Sequence, residues 1–127
     1  MKKLKFAKLL VVAAFLSGAT AVHADTLSGI AWAAGQANVT CYLFNAGPGT
    51  VSITSNNIYN EAGGTAITTT SCGTTLASGA TCWVGAAVPG TGAHACRSVI
   101  SPSGDNVRGE IEIRNSGSVV LNSAPLR

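Results

Sequence analysis

Beyond residue 24 the sequence holds few side chains that could do chemistry: one histidine, His94, one close pair of carboxylates, Glu110 and Glu112, and four cysteines, Cys41, Cys72, Cys82 and Cys96. On a strand, residues two apart share a face, so Glu110 and Glu112 would stand roughly 6.6 Å apart at Cα. Glycosidase carboxyls lie ~5–9.5 Å apart, but they face each other across a bound sugar. Here both would project from one strand between Arg108 and Arg114. That favours two ordinary ionised acids in a solvated stripe that discourages strand pairing, and leaves a glycan hydrolase on Glu110 and Glu112 as the weakest functional reading. His94 lacks the partners of a nucleophilic triad: Asp25 and Asp105 are the only aspartates, and no Gly-x-Ser-x-Gly elbow occurs. It reads instead as a loop residue. Gly90-Thr-Gly92-Ala-His-Ala95 has the spacing of a dinucleotide fingerprint. Phosphate binding there needs a helix behind the glycines, and Cys96–Ile100 reads as strand. The expectation is a protein that is not an enzyme and takes no cofactor.

The cysteines admit a metal site or disulfides. Cys72, Cys82, His94 and Cys96 follow the spacing Cys-x9-Cys-x11-His-x-Cys, whereas zinc ligands come in close pairs, so no metal is expected. In a small exported domain an even count reads as a disulfide framework, with three possible connectivities. Cys72 and Cys82 bracket the turn-rich GTTLASGAT and can meet locally, which leaves Cys41 for Cys96.

The compartment is written at the start of the chain. MKKLKFAK is basic, LLVVAAFL at 9–16 is apolar, and SGATAVHA ends with small residues Val22 and Ala24. This is the form of a secretory signal peptide, and its apolar run is too short for a stop-transfer span. Residues 1–24 are thus expected to be removed and residues 25–127 to form one domain without a transmembrane segment, periplasmic or extracellular and bacterial in style. The full 127 residues carry a formal charge of +3, but Lys2, Lys3, Lys5 and Lys8 all lie in the leader. Residues 25–127 hold four arginines against five acids, a net −1. Such a domain lacks the positive field that a nucleic-acid backbone requires. Asn38-Val-Thr40 is a glycosylation sequon, relevant only in a eukaryotic secretory pathway.

The elements that must position these residues are strands. Glycine, serine and threonine exceed a third of residues 25–127, and no segment keeps a helical period. Alternating runs are Leu27–Ala33, Asn38–Asn45, Thr50–Tyr59, Thr65–Ser71, Thr81–Val88, Ala95–Ser101, Val107–Asn115 and Ser118–Leu121, separated by clusters such as GPG, EAGG, PGTG, PSGD and NSG. Short strands at this spacing predict an antiparallel sandwich or barrel. Val39, Cys41 and Leu43 share a face, as do Cys82, Val84, Ala86 and Val88, and Gly109, Ile111 and Ile113. Tyr42 and Phe44 fall out of phase with the first set and Trp83 with the second, so these three rings are candidates for an outer binding surface; the other aromatics of the domain are Trp32 and Tyr59.

At residues 45–89 a longer pattern appears. Asn45 and Gly47 open it, Val51, Ile53 and Ser55 form a Val-x-Ile-x-Ser strand, and Cys72, Gly73, Leu76, Gly79 and Cys82 give Cys-Gly-x-x-Leu-x-x-Gly-x-x-Cys, with Pro89 beyond. This resembles the immunoglobulin-like domains of the ASPM–SPD-2–Hydin type found in bacterial exported proteins. The resemblance implies an all-β fold, a single immunoglobulin-like antiparallel β-sandwich of about 7–8 strands with two disulfides. It supports the pair Cys72–Cys82 and, by analogy with immunoglobulin domains, makes Cys41–Cys96 a pin between the sheets. It also implies a binding or structural module, with a protein or glycan partner at the cell envelope. The alternative expectation is a surface-assembly subunit that polymerises through sheet edges, as pilus subunits do, with Asp25–Ala34 as a donated strand. The oligomeric state is not written in these residues.

Overall fold

The alternation of apolar and polar residues becomes nine strands among the described residues, and no helix. The computed structural model describes residues 24–127 except Gln36, Ile67, Pro89 and Gly90. Residues 1–23, which carry nearly all of the expected leader, and the Pro89 and Gly90 singled out above therefore lie outside the described residues. The strands are β1 Asp25–Ala33, β2 Ala37–Asn45, β3 Val51–Asn60, β4 Thr69–Thr70, β5 Thr75–Leu76, β6 Thr81–Val88, β7 Gly92–Ser101, β8 Val107–Arg114 and β9 Val120–Leu126. Two sheets form, one of four strands in the order β1-β7-β3-β5 and one of five in the order β4-β6-β2-β8-β9. Every pairing is antiparallel.

The core lies between the sheets and is built by the phases read from sequence. Val39, Cys41 and Leu43 of β2, Val84 of β6 and Ile111 and Ile113 of β8 face Ile58 of β3 and Cys96 and Ile100 of β7, all essentially without exposure. Cys41 and Cys96 are joined, with Cα atoms 6.0 Å apart, so the first disulfide ties the five-stranded sheet to the four-stranded one through the middle of the core. Cys72 and Cys82, 4.9 Å apart at Cα, tie the segment between β4 and β5 to the start of β6. Both expected pairings are present.

Immunoglobulin sandwiches join strand B to strand F by a disulfide, in sheets ordered A-B-E-D and C-F-G. With β2 as B and β7 as F, β6 and β4 take the places of E and D, and β3 takes that of C. The place of G beside β7 is filled by β1, the first strand, and the place of A beside β2 by β8. The two end positions are therefore supplied from the opposite ends of the chain.

The short strand β5, Thr75–Leu76, lies in a stretch read from sequence as turn, and β1 starts two residues before Leu27; three larger differences have a tertiary reason. The run Thr65–Ser71 is not one strand because it crosses between sheets: Thr65 bridges Tyr59 and Ala66 N–H donates to the Ile58 carbonyl, whereas Thr69 and Thr70 pair with β6. β7 begins at Gly92, before the expected Ala95, because Gly92–His94 pair with Ala31–Ala33 of β1. This places His94 in a strand, buried, and not in a loop. β9 starts later and runs further than Ser118–Leu121: Ser118, at φ 63°, still belongs to the turn, and Pro125 is tolerated because β9 is an edge strand.

Candidate binding face on the five-stranded sheet

With Cys41, Leu43, Cys82 and Val84 turned into the core, the intervening residues of β2 and β6 must point outward. The register sets Tyr42 directly opposite Trp83 on one side and opposite Glu110 on the other. Phe44 lies between Thr81 and Arg108 in the same way. Phe44 is 40% exposed, Trp83 39%, and Tyr42 is half-buried between its neighbours. The structure thus brings the three expected rings onto one outer face.

Local bonds hold Trp83 in place. Its backbone N–H donates to Ser71 Oγ at 3.0 Å, and its carbonyl accepts from Thr70 Oγ1 and from Ser71 N–H, each at 2.9 Å. The Cys72–Cys82 disulfide closes this junction one residue away. The indole leans back over Gly85, with Cζ3 3.3 Å from the point a Cβ would occupy, so that a side chain there would require the ring to shift by a few tenths of an ångström. A groove of about 610 Å³ opens beside it, lined in part by Thr40, Tyr42, Thr69, Trp83, Gly85 and Arg114. A second depression, of about 310 Å³, lies on the far side of Tyr42 against Phe44, Thr81, Arg108 and Glu110.

Glu110 and Glu112 project from this same face of β8. Glu112 is held by Arg114, whose Nε donates to Oε2 at 2.8 Å and whose Nη2 donates to the same oxygen. Glu110 is exposed opposite Tyr42 and Pro125. The pair forms a charged border to the aromatic face. Among the described residues no three or more His, Cys, Asp or Glu side chains converge as a metal cluster would require. His94 is on the other sheet, 8% exposed, with Nδ1 lacking a hydrogen-bond partner among the described residues. Burial pushes its imidazole below the ordinary value, partly offset by the carboxylate of Glu61.

The motif that carried the family resemblance is not on this face. Asn45, Gly47, Leu76 and Gly79 meet at one corner of the sandwich, joined by the Asn45 side chain, by Ser78 Oγ donating to the Gly47 carbonyl at 2.6 Å, and by Gly79 N–H donating to the Asn45 carbonyl at 2.8 Å. Their role is architectural. A second apolar surface has no counterpart among the site residues expected from sequence: Ile30 is 66% and Trp32 56% exposed on β1, and Val119, just before β9, and Val120 and Leu121 at its start are exposed too. These two runs adjoin, because Asn122 Nδ2 donates to the Trp32 carbonyl at 3.4 Å. The phase of Leu27, Ala31 and Ala33 against Ile30 and Trp32 is the signal that would have found the first of them.

Comparison with known protein families, with curated proteins and with solved structures gives no match to the chain. Its class rests on its own geometry: an antiparallel two-sheet β-sandwich with one disulfide between the sheets and one at the rim. Two disulfides in a domain this small are characteristic of an oxidising compartment. No helix among the described residues is long and apolar enough to cross a membrane.

Proposed function

We propose that the chain is an exported, non-catalytic module of the cell envelope that binds a glycan or protein partner through the outer face of its five-stranded sheet. The observation that carries this reading is the alignment of Tyr42, Phe44 and Trp83 on one solvent-facing surface beside two open grooves. Aromatic rings contribute much area at a binding surface for little loss of freedom, and Tyr42 and Trp83 add a polar edge. The groove over Gly85 suits a sugar ring in particular: an indole supplies an apolar platform, and Thr40, Thr69 and Arg114 supply hydrogen-bonding groups around it. Export is supported by the leader-like residues 1–24 and by the two disulfides. The non-catalytic reading is supported by a buried His94 and by carboxylates that share one strand face. The resemblance to ASPM–SPD-2–Hydin-type domains, which mostly serve as binding or structural modules, points the same way.

The test uses the chain from Asp25 onward with murein sacculi and immobilised neutral oligosaccharides, read by co-sedimentation and by retention on the immobilised sugar. Tyr42→Ala, Phe44→Ala and Trp83→Ala combined remove no core residue, so far-ultraviolet circular dichroism should be retained. Binding should weaken roughly 100-fold, the effect of losing a central aromatic cluster. Affinity unchanged by the triple substitution would rule out this face.

A further inference from the structure

We propose that β1 is an exchangeable strand, and that a second copy of this chain can receive it in the groove beside β7. The acceptor site is already described, because β1 fills it within the chain. Nine consecutive residues, Asp25 to Ala33, pair with Ile100 to Gly92, and Leu27, Ala31 and Ala33 enter the core. Asp25 Oδ2 accepts from Gly104 N–H at 2.7 Å and from Ser103 Oγ at 3.1 Å, and Ser28 exchanges two backbone bonds with Arg127 at 2.9 and 3.0 Å. Every one of these partners belongs to the C-terminal part of the chain, so each can be met equally well by the β1 of another copy.

The tether is short. Only three residues separate Ala33 from Ala37, where β2 begins in the opposite sheet, and Gly35 turns the chain with φ 93° and open space around it. Exchange of a terminal element between identical chains is a low-cost route to a dimer, and a link this short limits how the two bodies can sit. Straightened, the link spans at most about 14 Å, so the donor's body would sit directly against the acceptor's. The link leaves β1 next to Trp32, whose carbonyl adjoins Asn122. A donor body tethered there would cover Trp32, Val119, Val120 and Leu121, all of them exposed. Exchange thus keeps the contacts of β1 and adds burial of an apolar patch. It closes as a reciprocal pair or continues as an open chain. Tyr42, Phe44 and Trp83 take no part, so this proposal stands or falls apart from the binding face.

Register partners Ile30 and Ala95 provide the test. Chains carrying Ile30→Cys are mixed with chains carrying Ala95→Cys, concentrated, refolded with the native disulfides intact, and mildly oxidised. A covalent dimer whose joining peptide links the two new cysteines is expected, and is expected to be absent when Ala77→Cys replaces Ala95→Cys. Equal cross-linking in both mixtures overturns the proposal. The unsubstituted chain gives a second reading by sedimentation velocity: refolded at high concentration it should form oligomers that a four-residue Gly-Ser insertion after Gly35 shifts to monomer. A chain that stays monomeric throughout, or oligomers indifferent to the insertion, also overturns it.

Discussion

Asn45 ends β2 with its side chain turned inward and no exposed surface. Its Oδ1 accepts from Gly47 N–H at 2.9 Å, and its Nδ2 donates to the carbonyls of Gly49 at 2.7 Å and Leu76 at 2.9 Å. An amide is the side chain that can accept at one end and donate twice at the other. Asn45→Ala should therefore leave the buried Gly47 N–H without its acceptor, remove the two bonds of Nδ2, and cost about 2–4 kcal/mol in urea unfolding; a loss below about 0.5 kcal/mol, the scale of an ordinary surface change, would remove the clamp from the account. His94 works in the opposite sense. With its imidazole held below the ordinary value by burial, and Glu61 offsetting only part, the unfolded chain binds the proton more readily than the folded one. The associated stability is complete above the ordinary imidazole range and is lost as pH falls through the lowered folded value. Urea midpoints should decline from pH 7 towards pH 5, and His94→Leu should flatten that slope. A slope that survives the substitution assigns it to other groups.

Strand faces were legible in the sequence because alternation is local. The phases of Val39-Cys41-Leu43 and Cys82-Val84-Ala86-Val88 are realised as buried faces. The outward turn of Tyr42, Phe44 and Trp83 follows from them. Strand neighbours were not legible, since a period of two says which face is buried and nothing about which strand lies alongside. Hence the placing of β1 beside β7 and β8 beside β2 is visible only in the fold. The junction of those end strands shows what the sequence marked without explaining. Gly29 of β1 and Gly109 of β8 both lie under Leu126 of β9, where a Cβ would stand 2.7 Å and 2.6 Å from its methyl carbons. These glycines let the edges of the two sheets converge on one buried leucine. In the sequence they read only as gaps in an apolar phase. The Asn-x-Gly and Cys-Gly-x-x-Leu-x-x-Gly-x-x-Cys pattern was legible as a motif, but its residues serve a corner and the footing of Trp83, not the face that would meet a ligand.

Taken as a whole molecule, the sandwich has few large side chains that are wholly buried, chiefly Leu43, Ile58, Ile100, Ile111 and Ile113, with alanine, valine and the cysteines filling the rest. Small domains with modest cores rely on covalent ties, and total stabilities of about 5–15 kcal/mol leave little margin. The two ties should not count equally. Cys41–Cys96 spans a sequence separation of 55 and Cys72–Cys82 one of 10. Restriction of the unfolded chain is then worth about 4 kcal/mol for the first and a little under ~3 kcal/mol for the second. Packing widens the gap, because Cys41 and Cys96 are fully buried between the sheets whereas Cys72 is only partly buried at the rim. Replacing Cys41 and Cys96 together by alanine should therefore lower stability by about 4 kcal/mol or more, with both sheets losing protection from hydrogen exchange at once. Replacing Cys72 and Cys82 should cost less globally, yet loosen the segment that anchors Trp83 and shift its fluorescence. Unfolding curves of the two double variants, taken beside the parent chain, decide the matter: if the rim pair proves the costlier to lose, the core disulfide is not what holds the sheets together.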